Sequence, residues 1–135
     1  MKIVLDTNVL VSGIFFSGPP AEILRAWSRA KFRLVLSPEI LDEYTRVSAE
    51  LADQFPDIEI QRILDLVVMR SDVCSPAALP QQVCEDPQDD KFIAAAIDSR
   101  TKIIISGDKH LLRISGHQGI SVLTPRQFVV RHLSE

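Results

Sequence analysis

The chain has 135 residues, 46% of them hydrophobic and 24% charged, with a formal net charge of −3. These values are ordinary for a soluble globular protein with a real core, and they predict no overall attraction to nucleic acid or anionic membrane. No apolar run reaches transmembrane length, and Asp6 and Asn8 interrupt the apolar start that a signal peptide would need, so the cytoplasm is the expected location.

Lys2-Ile3-Val4-Leu5 is short, apolar and β-prone, and it stops at Asp6. It reads as a buried strand of a parallel sheet, where apolar runs are continuous rather than alternating. Val9-Leu10-Val11 follows, then Gly13 and a loop ending at Gly18-Pro19-Pro20. Ala21 to Lys31 is predicted helical, with Ile23, Leu24 and Trp27 on one side. Phe32 to Leu36 is a second strand. Ser37-Pro38 joins an N-cap to a first-position proline and opens a helix to about Ala52. Gln54 to Asp57 is a turn, Ile58 to Met69 a third helix, and Asp72-Val73-Cys74 a short strand.

Ser75 to Glu85 holds two prolines and no periodicity, and reads as a loop. Lys102 to Ser106 is another buried strand, ending at Gly107-Asp108, and Asp108 to Ile114 a short helix. Gly119 to Leu123 is the last strand. Thr124-Pro125 caps a closing helix to about Leu133. This alternation predicts a three-layer α/β/α sandwich with a central, mostly parallel sheet of four to five strands. One domain spanning 1–135 is expected. Cys74 and Cys84 show no zinc spacing and read as thiols in a reducing compartment.

The most informative stretch is Glu85 to Ile97, in which acids stand directly before an apolar helical run. Pro87 suits a first helical position, which makes Asp86 the N-cap. At ~100° per residue, Asp86, Asp90, Ile93 and Ile97 share one stripe, so the face that meets the core begins with two acids. A buried carboxylate is costly unless something pairs with it. Acids in a first turn also complement the helix dipole, and that plainer role fits Asp89.

Asp6 and Asp108 each follow a strand, which places both on the rim where open parallel sheets bind ligands. Glu43 lies near the apolar line Ile40, Tyr44, Val47 and Leu51, whereas Glu39 and Asp42 point to solvent. Asp6, Glu43, Asp90 and Asp108 are thus expected to converge, with Asp86 as a further ligand. Carboxylates so close repel one another unless divalent cations bind. An all-oxygen set without cysteine or histidine suits Mg²⁺ or Mn²⁺ rather than zinc.

Ile3-Val4-Leu5-Asp6-Thr7-Asn8-Val9-Leu10, Ser37 to Tyr44 with Glu43, Asp86 to Ala96, and Ser106-Gly107-Asp108-Lys109-His110-Leu111-Leu112 resemble, in order, the four acidic motifs of PIN-domain nucleases. The likeness is greatest to the small prokaryotic branch regarded as toxins of toxin–antitoxin pairs. It implies metal-dependent hydrolysis of RNA phosphodiesters, leaving 5′-phosphate and 3′-hydroxyl ends. It also implies catalytic roles for Asp6, Glu43, Asp90 and Asp108, and metal ligation by Asp6, Asp86, Asp90 and Asp108. Asn8 and Ser106 are the polar residues expected to orient these acids. Lys91, Lys109, His110 and Arg113 are candidates to meet phosphates. Many relatives carry a second acid where His110 stands, which bears on how many ions that side holds. An antitoxin protein and a second copy of the chain are the partners that the resemblance suggests.

Arg25, Arg29, Lys31 and Arg33 form a basic cluster beside the first predicted helix, a pattern more often a solvated face than a binding site. A haloacid-dehalogenase phosphatase would need an acid at Asn8, and a receiver domain would need paired acids after the first strand. No phosphate-binding glycine loop is present. The remaining alternative is a PIN-like module that binds RNA or protein with weak or no catalysis.

Overall fold

A computed structural model of the chain describes residues 1–133. Ser134 and Glu135, within the expected span 1–135, lie outside the described residues. Strand β1 (Lys2–Leu5) is buried from Ile3 onward. Helix α1 (Thr7–Phe15) starts directly after Asp6, so Val9-Leu10-Val11 is helical, with all three side chains buried. Helix α2 (Pro19–Ser28) packs close against it. Gly13 permits that approach, since a Cβ there would stand 2.7 Å from both Pro20 O and Leu24 Cδ1.

Strand β2 (Arg33–Leu36) leads to α3 (Pro38–Ala52), whose first turn is closed by Ser37 Oγ accepting from Ile40 N–H. Helix α4 (Ile60–Arg70) and strand β3 (Asp72–Val73) follow. A loop and a 3-10 turn at Pro87–Asp89 then enter α5 (Asp90–Ser99). Strand β4 (Ile103–Ile105), α6 (Lys109–Arg113), β5 (Ser121–Leu123) and α7 (Pro125–Phe128) complete the order. Thr124 and Gln127 form a reciprocal capping box on α7, which runs on into a π-helical turn at Val129–Leu133.

The strands lie in the order β3-β2-β1-β4-β5, and every pairing is parallel. Seven helices among the described residues flank this sheet as an α/β/α sandwich. Helix α5 lies across β1, β2 and β4, while α1, α2 and α7 pack on one another. Ile3, Leu5, Leu36, Ile104 and Ile105 fill the sheet interior, with Ile23, Ile93 and Phe128 arriving from helices. Side chains of this kind contribute roughly 1.5–3 kcal/mol each when fully buried. No helix among the described residues is long and apolar enough to cross a membrane. Cys84 is buried, Cys74 half-buried, and neither forms a disulfide.

Candidate metal centre

The strand order changes direction at β1, with β2 on one side of it and β4 on the other. Beyond the carboxyl ends of two such strands lies the crevice where open parallel sheets bind ligands. Asp6 leaves β1 there, and its N–H donates to Ile105 O at 2.9 Å, which holds it in register with β4. Asp6 occupies the N-cap position of α1, yet its carboxylate caps nothing. Its Oδ2 accepts instead from Ser106 Oγ at 2.7 Å, and the same hydroxyl oxygen accepts from Asp108 N–H at 2.9 Å. Ser106 is fully buried, so one hydroxyl fixes the ends of β1 and β4 together. Asp108 in turn caps α6, its Oδ1 accepting from His110 N–H at 3.2 Å.

Burial raises the Asp6 carboxyl above its ordinary range. The Ser106 hydrogen bond opposes that shift, and the charges of Asp108 and Glu43 add to it.

The third acid of the cluster is Asp89. Its Oδ2 is buried with no hydrogen-bond donor in reach, and the group facing it is the Asp108 carboxylate. Two carboxylates can hydrogen-bond only by sharing a proton. Burial first, then the hydrogen bond and charge of Asp108 and the charges of Asp6 and Asp86, push the Asp89 carboxyl up to about 7. Single ligand atoms of Asp89, Asp108 and His110 lie within 4.8 Å of one another. A buried acceptor without a donor among like charges is chemically suited to a divalent cation. Two carboxylates and an imidazole are donors that a divalent cation accepts, and the imidazole departs from the all-oxygen set expected from the sequence.

The other expected residues are placed differently. Asp90 turns to the preceding loop, where Oδ1 accepts from Cys84 N–H at 2.7 Å and Oδ2 from Val83 N–H at 3.0 Å. Both of its oxygens are therefore occupied, and the geometry puts Asp89 rather than Asp90 beside Asp108. The reason is local. Asp89 closes the 3-10 turn and Asp90 opens α5, so the two neighbouring side chains leave the backbone in different directions. Asp86 is exposed and caps the turn, its Oδ1 accepting from Gln88 N–H at 2.9 Å. Asn8 is exposed in the first turn of α1.

Glu43 is brought to Asp6 by its neighbour. Tyr44 Oη, fully buried, donates to Leu5 O at 2.6 Å and pins α3 to the end of β1. Glu43 Oε2 accepts from Thr7 Oγ1, and Oε1 stands 2.9 Å from Lys91 Nζ and 3.9 Å from Arg46. Lys91 is thus spent on Glu43. Glu85 stands 3.5 Å from His110 Nε2 and 3.0 Å from Arg113. Lys109 is exposed and has no acidic partner among the described residues.

Beside the cluster, the loop after β3 walls a cleft of about 570 Å³ lined by Ser37, Pro76, Leu79, Gln82, Gln88 and Lys91. The basic cluster lies elsewhere. Arg33 opens β2 at the opposite, amino-terminal end of the strands and forms a bidentate pair with Asp72, while Arg25, Arg29 and Lys31 border a separate cavity with Glu22.

Residues 2–110 match the PIN domain family, a span that holds all of these acids. The chain belongs to the PIN-domain family. An uncharacterized protein of Methanocaldococcus jannaschii is 32% identical to it over 143 residues, covering 96% of this chain and 90% of that protein. PIN domains are generally metal-dependent nucleases, and this PIN domain carries an acidic cluster of the kind that binds a divalent ion. Two features of it escaped the sequence. Asp89 was signalled only by the proline-led turn, and the Lys91–Glu43 pair joins residues 48 positions apart without any local mark.

Proposed function

We propose that this PIN domain is an Mg²⁺- or Mn²⁺-dependent endoribonuclease that acts as the toxin of a toxin–antitoxin pair. The observation that carries the reading is the buried Asp89 oxygen, without a donor, facing Asp108 next to Asp6. Asp6, Asp89 and Asp108 would hold the ion, with the His110 imidazole at its edge. Such an ion, when bound, supplies the acidity that activates water and the charge that stabilises a leaving oxygen.

The chain's own residues do the rest. Ser106 fixes the distance between Asp6 and the backbone of Asp108. Tyr44 and Thr7 hold Glu43 at the rim. Lys109, exposed at the start of α6, would meet a phosphate. The cleft beside Lys91 and Gln82 offers room for an unpaired base, which supports a single-stranded RNA substrate.

The test is Mn²⁺-dependent cleavage of single-stranded RNA beside duplex RNA and single-stranded DNA. Asp6→Asn and Asp108→Asn should abolish cleavage while circular dichroism and melting stay those of a folded protein. Undiminished cleavage by either purified variant would refute the assignment. A module that binds RNA or protein with weak catalysis is the second reading, and the lysine held on Glu43 favours it. RNA binding without metal-dependent turnover would decide for that alternative.

A cytoplasmic location, an inhibitory antitoxin and a homodimer belong to the same proposal. The apolar side chains of Leu66, Met69 and Val73, exposed on α4 and β3, support self-association. Light scattering and a growth assay with the neighbouring gene co-expressed test these points.

A further inference from the structure

Lys91 stands one residue past Asp90 and two past Asp89, at the acidic rim, yet its side chain is only 10% exposed. Its ammonium lies 2.9 Å from Glu43 Oε1, and the Glu43 side chain is itself only 19% exposed. The second Glu43 oxygen is taken by Thr7 Oγ1, and Arg46 adds a further positive charge at 3.9 Å. Glu43 is therefore the one rim acid that already has cations and a hydroxyl around it. Asp89, by contrast, has a buried oxygen and no donor.

We propose that Lys91 stands in for a second metal ion, so that the centre takes a single divalent cation and Glu43 is not among its ligands. The inference rests on the reading that Asp6, Asp89 and Asp108 hold a metal. A divalent ion seated on Glu43 would have to displace an ammonium in a poorly solvated position, where like charges repel strongly. Lys91 is then a positioning residue. It holds Glu43 in place and supplies positive charge to the half of the rim that the ion does not reach. Low exposure and an occupied ammonium make it a poor phosphate contact, which is the role that sequence position alone suggests.

The experiment counts ions on the full chain, stripped of metal and titrated with Mn²⁺ by calorimetry, with free Mn²⁺ followed by electron paramagnetic resonance. The unaltered chain should bind one Mn²⁺. Lys91→Met keeps the aliphatic stem and removes the charge, and it should bind two. The second ion should vanish again in the Lys91→Met, Glu43→Gln double variant. Glu43→Gln alone should still bind one Mn²⁺. Two ions on the unaltered chain, or a single ion on a folded Lys91→Met variant, would overturn the proposal while the metal reading stands. Loss of the bound ion in Glu43→Gln, at Mn²⁺ concentrations that saturate the unaltered chain, would do the same, and it decides the matter even where Lys91→Met does not fold. No binding by any form would overturn the metal reading itself and this inference with it.

Discussion

The two halves of the acidic rim solve the same electrostatic problem in different ways. At the β1–β4 end, one serine hydroxyl ties the Asp6 carboxylate to the Asp108 backbone, Asp89 faces Asp108, and one buried Asp89 oxygen finds no donor. At the α3–α5 end, Glu43 meets a lysine, an arginine and a threonine hydroxyl. The first half is electrostatically incomplete and the second is finished. Sites that need an exogenous cation are built like the first, because a carboxylate satisfied by the protein's own cation gains little from another.

The largest effect expected from breaking this contrast is at Asp108. Asp108→Asn should lower metal-dependent cleavage on the order of 100- to 1000-fold or more, measured as kcat/KM on single-stranded RNA. Ser106→Ala should be milder, about 10- to 100-fold in Mn²⁺ affinity, since it removes a group that orients ligands rather than a ligand. A Ser106→Ala protein with unchanged affinity would mean that the serine is mere packing.

The neighbours Asp89 and Asp90 sharpen the comparison further. Asp90→Ala removes an acceptor from two backbone N–H groups and should cost about 1.5–3 kcal/mol of stability in a denaturant titration. Its effect on Mn²⁺ affinity should be small. Asp89→Asn should show the reverse, with affinity lost and metal-free stability held or raised. The opposite pairing of effects would return the ligand role to Asp90.

The last effect is in pH dependence. The Asp89 carboxyl titrates near 7 in the folded chain and near ~4 when unfolded. A folded-state value above the unfolded one means that the stabilising contribution is present below about pH 4 and is lost as pH rises toward about 7. Metal-free protein should therefore lose stability across that window, and added Mn²⁺ should restore it at pH 7. In Asp89→Asn the slope should flatten, as followed by melting temperature.

Much of the fold was legible because its signals are local. Ser37-Pro38 and Thr124-Pro125 mark helix starts through a side chain that caps its own first turn, and both caps form. Continuous apolar runs mark β1, β2, β4 and β5, as parallel strands buried on both faces require. Even the two-residue β3 stands where its valine predicts. The start of α1 was missed, because Val9-Leu10-Val11 carries no helical periodicity of its own and takes its conformation from packing on α2 and α3.

The site was legible as a neighbourhood but not as an assignment of roles. That Asp6 and Asp108 end adjacent strands follows from topology. Which side chain of the Asp89-Asp90 pair faces Asp108 depends on a few tens of degrees in a turn, and a lysine's choice of partner depends on a helix far away in the chain.

Asp90 grips main-chain N–H groups, not side chains. The cleft wall is therefore anchored by atoms that almost any residue at positions 83 and 84 would supply. Residues 75–82 can drift in size, polarity and even number while the acidic turn next door stays still. Such a layout separates what the cleft admits from how the acids are held, and lets one acidic frame acquire new preferences by changing its wall.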